Sequence, residues 1–213
     1  MNYPLNLFDE RGNRCYCKDC YLPTWHSQLD QAGETYVIPR GWVRFGLVQC
    51  QLFSEINDIW DSWHNVFHGT TIEGSIGIAK HRTLLHVGDT TMDGVDIGKR
   101  GSVMASKCIY VSPHIEYSAH PWYSKIEYFG QSKSGQKLYG QVVMAIKMKP
   151  GTFDRQGETE GGAKKFLDNY GPINESEIEW YTSRRGCVIP YGILFRILDE
   201  DGKKKAEQTF EKH

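Results

Sequence analysis

Long apolar runs are missing from this 213-residue chain. Nothing in it approaches the roughly 18 consecutive apolar positions that a membrane-crossing helix needs, so no spanning segment is expected. The opening stretch MNYPLNLFDERG lacks a basic region followed by an apolar run, so no secretory leader is expected. The expectation is a cytoplasmic or nuclear protein that works away from the membrane. An excess of charge is missing too: 25 basic against 26 acidic side chains leave a formal net charge of -1, so no global field draws the protein to nucleic acid or anionic lipid. Internal repeats and a strict alternation of strand and helix patterns are also absent. With 39% apolar and 24% charged residues the composition is that of a folded domain, and disorder is expected only at the ends.

Cysteine is scarce and unevenly placed. Three of the six crowd into CYCKDC (Cys15, Cys17, Cys20), while Cys50, Cys108 and Cys187 stand alone in apolar settings. An intracellular chain has little use for disulfides, and a crowded triplet there more often holds a metal. The Cys17-x-x-Cys20 spacing lets two thiolates reach one tetrahedral Zn2+, and Cys15 is near enough to be a third. His26 is the nearest fourth ligand, with Cys50 and His64 as alternatives. Residues 1–35 have no clear period and no evident core, so they read as an accessory segment that a structural metal would order. The plainer alternative is three reduced thiols on a tyrosine-rich loop.

Periodicity organises the rest. Residues 36–50 read as strand, turn, strand, with Pro39 and Gly41 supplying the bend. QLFSEINDIWDSW takes helical spacing, with Phe53, Ile56, Ile59 or Trp60 and Trp63 on one side, and leads into a strand near Val66 and Phe67. TIEGSIGIAKHRTLL reads as a short helix with Ile72, Ile76 and Ala79 inward and Thr70 or Thr71 as its cap. The polar, glycine-rich residues 86–107 form a long loop, a length usually tied to function or mobility. CIYVSP is a strand, HIEYSAHPWYS opens a helix that Pro121 interrupts, residues 139–151 form a strand closed by Pro150-Gly151, and residues 178–202 supply two more. Residues 157–177 read as loop with a helical turn, and the lysine-rich tail 203–213 is expected to fray. Six or seven strands with two or three short helices make an α+β protein, with residues 36–202 as its main domain.

Three pieces stand out: FHGTT (67–71), IYVSPHIEYSAHPWYS (109–124) and ESEIEWYT (175–182). Each sets a chemistry-capable side chain on or beside a short apolar strand. In this order and separation they resemble the catalytic domain of ADP-ribosyltransferases of the poly(ADP-ribose) polymerase and diphtheria-toxin type, whose motifs carry a histidine, a tyrosine and a glutamate. The resemblance runs from Val66 to about Ile197. It implies a split, mostly antiparallel β-sheet with NAD+ in the cleft between its halves. His68 matches the motif histidine that holds the adenosine-side ribose, and Gly69 the glycine whose backbone meets the nicotinamide carboxamide, with Thr70 beside it. Tyr110 matches the motif tyrosine and Ser118 a serine bonded to the carboxamide. The second stacking tyrosine falls at Pro121 by strict spacing, which leaves Tyr123, or else Trp122, in that place.

Glu175, Glu177 and Glu179 all face one way if the run is a strand. Glu179 is the choice for the catalytic acid, because its distance to VIPYGILFRI resembles the family's. Glu177 then echoes an E-x-E arrangement in which the first acid helps orient the acceptor. Breaking the nicotinamide–ribose bond creates an oxocarbenium-like sugar, so a carboxylate by the ribose stabilises charge that appears only in the transition state.

The resemblance therefore implies a mono-ADP-ribosyltransferase, acting as a monomer, that uses NAD+ as co-substrate and modifies a macromolecular acceptor, protein ahead of nucleic acid. GKRG (98–101) and TSRRG (182–186) offer local phosphate contacts. An NAD+ glycohydrolase, an RNA 2′-phosphotransferase relative and a non-catalytic zinc-stapled binding module are the alternatives. Taken singly, His68 suits a helix-capping or core role, Tyr110 a core role, and the acidic run a solvated face.

Overall fold

VVMAIKM, at the end of a single twelve-residue strand, organises the molecule. The computed structural model describes residues 5–98, 107–159 and 174–208, and β8 (Lys137–Met148) lies at the centre of its larger sheet. The strand is apolar almost without alternation because both its faces are covered. Val142, Met144, Ile146 and Met148 face one core with Val66, Ala79, Val188 and Ile193, while Val143 and Ala145 face a second with Trp42, Phe67, Ile115 and Leu194. Each such side chain contributes roughly 1.5–3 kcal/mol on full burial, so this run dominates the stability of the sheet.

The larger sheet is antiparallel throughout, in the order β1 (Arg14–Cys15), β4 (Val43–Gly46), β11 (Val188–Leu198), β8 and β5 (His64–Gly69), with β7 (Glu127–Gln131) also paired to β8. Pro190 carries no N–H, and the β11–β8 register shifts between Pro190 and Gly192. A smaller antiparallel sheet has the order β6 (Ile109–Val111), β10 (Glu179–Thr182) and β9 (Asp154–Gln156). β2 (Gln28–Gln31) and β3 (Glu34–Val37) form a hairpin. The two larger units meet at one bridge, where Phe67 and Ser112 exchange backbone hydrogen bonds of 2.7 and 2.9 Å.

The helices are few: α1 (Gln51–Ile56), α2 (Ile59–Ser62), α3 (Ile72–His81), α4 (Ile115–Ser118) and α5 (Glu200–Gln208). None among the described residues is long and apolar enough to cross a membrane. The α+β class is as expected: a mixed architecture of mostly antiparallel sheets with few helices.

Several details depart from the sequence reading. Eleven strands are present among the described residues instead of six or seven. The helix expected over residues 51–63 breaks at Asp58, whose left-handed backbone (φ 48°) turns Ile56 into solvent while Ile59 and Trp63 go inward. In α3 the inward face is Ile72, Ser75, Ile78 and Ala79, one step round from Ile76. The start of the expected tail is helical through Gln208, held by Tyr139 to Glu200 (2.8 Å) and Lys203 to Glu207 (2.7 Å). Residues expected to form an accessory segment also join the large sheet: Leu7 enters its core, Phe8 bridges Leu47, and β1 extends the edge. There the backbones nearly touch, and a Cβ on Gly46 would stand 2.6 Å from Gly12 Cα. Most of residues 157–177 and of GKRG, with Lys99 and Arg100, lie outside the described residues.

Candidate functional site

The bridge between the sheets sits beside His68 and Gly69, the last residues of β5. His68 Nδ1 lies 2.7 Å from the carbonyl oxygen of Tyr110. A carbonyl only accepts, so Nδ1 carries the hydrogen, which fixes the ring's orientation and leaves Nε2 as the acceptor nitrogen of the neutral ring. Thr71, not Thr70, caps α3 by accepting from Gly74 N at 3.1 Å, and Thr70 is buried just before it.

On the smaller sheet, Tyr110 pairs with Tyr181, their rings 6.0 Å apart, and Glu179 lies two residues further along β10, opposite Gln156. Alternation puts Glu179 and Tyr181 on one face. Glu179 is only 2% exposed, a costly place for a carboxylate unless its oxygens are satisfied. They are: Tyr117 OH donates to Oε2 at 2.9 Å, and Gln156 Nε2 and Thr159 Oγ1 donate to Oε1 at 2.6 and 2.5 Å. Burial, and after it the neighbouring Glu179 charge, push the Tyr117 phenol far above its usual range, so it remains a donor.

Tyr117 leads back to the histidine strand. Its hydroxyl lies 3.2 Å from that of Tyr123, and the two rings are 5.6 Å apart. Tyr123 stands against Gly69: a Cβ there would be 2.6 Å from Tyr123 Cβ and 2.1 Å from the Ser118 carbonyl oxygen. Ser118 Oγ donates to the Phe67 carbonyl at 3.0 Å. His68, Tyr110, Tyr181, Glu179, Tyr117, Tyr123 and Gly69 thus form a closed circuit of neighbours drawn from both sheets, α4 and the turn after it. Of the two residues the sequence offered here, Tyr123 contacts Tyr117 while Trp122 is 66% exposed.

Glu177 and Glu175 stand apart. The acidic run is not one strand: Asn174 accepts from Ser176 N at 3.1 Å and starts a 3-10 turn over Glu175–Glu177, so only Glu179 is on β10. The Glu177 carboxylate pairs with Arg155 at 2.8 Å, and Arg155 also pairs with Glu34 and lies 5.1 Å over the Trp180 ring. Arg185, a phosphate candidate, is paired with Asp89. Tyr117, Gln156, Thr159 and Tyr181 were missed in the sequence. Only Tyr181 carried a signal, lying two residues beyond Glu179. Replacing Tyr117 by Phe removes one donor from the buried carboxylate and leaves the ring. The expected result is a roughly tenfold loss of any reaction that depends on Glu179, with the fold intact by circular dichroism.

Two buried histidines beside the circuit give a pH response. Burial lowers His114 from 6.5 to about 4, and His120, whose Nδ1 accepts from Trp122 N at 3.1 Å, likewise to about 4. Below the ordinary histidine pKa the unfolded chain binds protons that the folded chain refuses, so stability falls as the pH drops through the window from 6.5 toward 4. His114 alone accounts for about 2 kcal/mol by about pH 5. Urea unfolding at neutral pH and at about pH 5 checks this, and equal midpoints would contradict it.

The cysteine triplet forms a second cluster. The Sγ atoms of Cys15, Cys17 and Cys20 lie within 4.8 Å of one another, all as free thiols, and could hold a metal ion. Backbone hydrogen bonds from Cys20 and Asp19 lower the Cys17 pKa, while the neighbouring sulfurs of Cys15 and Cys17 push Cys20 up to about 11. His26 is not in the cluster; its carbonyl accepts from Tyr21 OH at 2.7 Å. His64 packs at right angles against the stacked pair of Phe153 and Trp180. The expected fourth ligand is therefore not found in either histidine. No protein-family model matches the chain, and no curated protein matches it significantly.

Proposed function

We propose that this chain has the ADP-ribosyltransferase fold and is a mono-ADP-ribosyltransferase: it binds NAD+, expels nicotinamide and passes ADP-ribose to a macromolecular acceptor, protein ahead of nucleic acid, in the cytoplasm or nucleus. The observation that carries the reading is the closed circuit from His68 through Glu179 to Gly69, three sequence-distant pieces brought to one place. A buried carboxylate with several donors is a preorganised negative charge, suited to a cation that exists only transiently.

In this reading the bond between ribose C1′ and the nicotinamide nitrogen breaks, and nicotinamide leaves with the electron pair. Glu179 stabilises the positive charge left on the ribosyl group. An acceptor nucleophile then bonds to C1′ and gives up its proton. His68, fixed by Tyr110, holds the adenosine-side ribose, and the Gly69 backbone meets the carboxamide, its missing side chain making room for Ser118 and Tyr123 to pack against the strand end. Glu179 carries the chemistry alone, because Glu177 lies off β10 in the 3-10 turn and pairs with Arg155. Zn2+ belongs to this reading only as the ion that orders the cysteine segment, and no step of the transfer runs through it.

Incubation with NAD+ labelled in its adenylate and with cell extract tests the proposal. Label in macromolecules together with free nicotinamide is the expected result. Label recovered only as free ADP-ribose makes the chain a glycohydrolase, and absence of nicotinamide release removes the enzyme reading.

A further inference from the structure

We propose that Cys15, Cys17 and Cys20 form a three-thiolate zinc site whose fourth position is open to an exogenous ligand. The site's role is to cross-link a coreless loop to the edge of the large sheet. The inference is independent of the transfer reading.

The three sulfurs come from two differently anchored pieces. Cys15 is fixed by β1, opposite Val43, and the next residue continues the attachment, with Tyr16 N bonded to the Trp42 carbonyl at 2.9 Å. Cys17 and Cys20 belong to a turn in which the Cys17 carbonyl accepts from Cys20 N at 3.1 Å and Tyr21 N at 2.8 Å. Around a zinc with bonds of about 2.3 Å, tetrahedral thiolates sit about 3.8 Å apart, so sulfurs already within 4.8 Å need only a small inward movement.

The loop that would be held has little else to hold it. Residues 18–20 and 22–26 are exposed, and beyond the turn the chain is tied down mainly by Arg40, which donates to the carbonyls of Leu22 (3.1 Å) and Trp25 (2.5 Å) and stacks over the Tyr21 ring. A segment whose buried apolar surface is little more than the half-buried Tyr21 ring gains its order from a cross-link. Among the described residues no fourth His, Cys, Asp or Glu joins the three sulfurs, and Cys20 is solvent-exposed. The fourth position is therefore reached from solvent and takes water or a soft donor such as a small thiol.

The test uses the full chain, purified reduced and without chelator, with zinc measured by elemental analysis and Co2+ as the spectroscopic probe. Expected are one zinc per chain, tetrahedral thiolate–cobalt bands, a shift of those bands on adding a small thiol, and loss of metal in Cys17→Ser and Cys20→Ser. His26→Ala and Cys50→Ser should bind as the wild type does. The proposal is overturned by a fully reduced wild type that takes up neither Zn2+ nor Co2+, or by uptake of copper(I) alone. Binding that survives Cys17→Ser overturns it too. Metal loss in His26→Ala, or cobalt bands that added thiol leaves unmoved, overturns the open fourth position. Should the cysteine variants fail to fold, the wild-type cobalt spectrum still decides the matter, because three-thiolate charge-transfer intensity is expected and its absence is disqualifying.

Discussion

If the chain is the transferase proposed, Glu179→Gln is expected to lower transfer from NAD+ by about 10²-fold or more while leaving NAD+ affinity within a few-fold of wild type. The substitution is a fair test because the amide fits the existing network. Its oxygen keeps the donors Gln156 and Thr159, and its nitrogen turns toward Tyr117, whose hydroxyl then donates to Tyr123 instead. What is lost is the negative charge, and with it the stabilisation of a sugar that is cationic only in the transition state. Single-turnover nicotinamide release beside equilibrium NAD+ binding separates the two effects. A parallel loss in affinity would mean that Glu179 holds the ground state. Glu177→Gln, which breaks only a half-exposed pair with Arg155, should change transfer less than threefold; surface pairs of this kind contribute roughly 0–1 kcal/mol.

Gly69→Ala is expected to destabilise the fold by about 3 kcal/mol and to abolish transfer. An added methyl would stand 2.1 Å from the Ser118 carbonyl oxygen and 2.6 Å from Tyr123 Cβ, and the first of these is backbone that cannot swing aside. β5 and α4 would have to part, and with them the bridge that joins the two sheets. Gly77→Ala in α3 is the natural comparison, since nothing lies within 4 Å of its missing Cβ. There the same methyl should stabilise the helix by roughly 0.5–1 kcal/mol. Denaturant midpoints of the two variants should therefore move in opposite directions. A Gly69→Ala protein as stable as wild type would mean that β5 and α4 do not pack as described.

Much of the frame could be read from residue patterns because it rests on apolar burial. The run in β8 announces a strand covered on both faces, and FHGTT announces a strand that ends where a helix is capped. Among the strands that show no pattern in the sequence, QLDQ and DRQ carry little apolar signal and are strands because a partner supplies their hydrogen bonds. The charged α5 is likewise held by Tyr139 and by its own Lys203–Glu207 pair, contacts that no local period reveals.

At the candidate site, His68, Gly69, Tyr110 and Ser118 follow from offsets within a motif, Glu179 from its distance to VIPYGILFRI, and Tyr123 only as a substitute for Pro121, where strict spacing points. Glu177 misled because period-two reasoning assumes a strand, and the Asn174 cap wins locally with a 3-10 turn. The donors around Glu179 were invisible for a different reason. Gln156 and Thr159 lie more than 15 positions from it in the chain, and only the β9–β10 pairing brings them near.

Nicotinamide release from NAD+ by the wild-type chain, followed by chromatography beside His68→Ala and Glu179→Gln, probes the convergence of the three motifs most directly. Catalytic release by the wild type, lost in each variant separately, is the predicted result. No release above the spontaneous rate, or release that neither substitution alters, contradicts it.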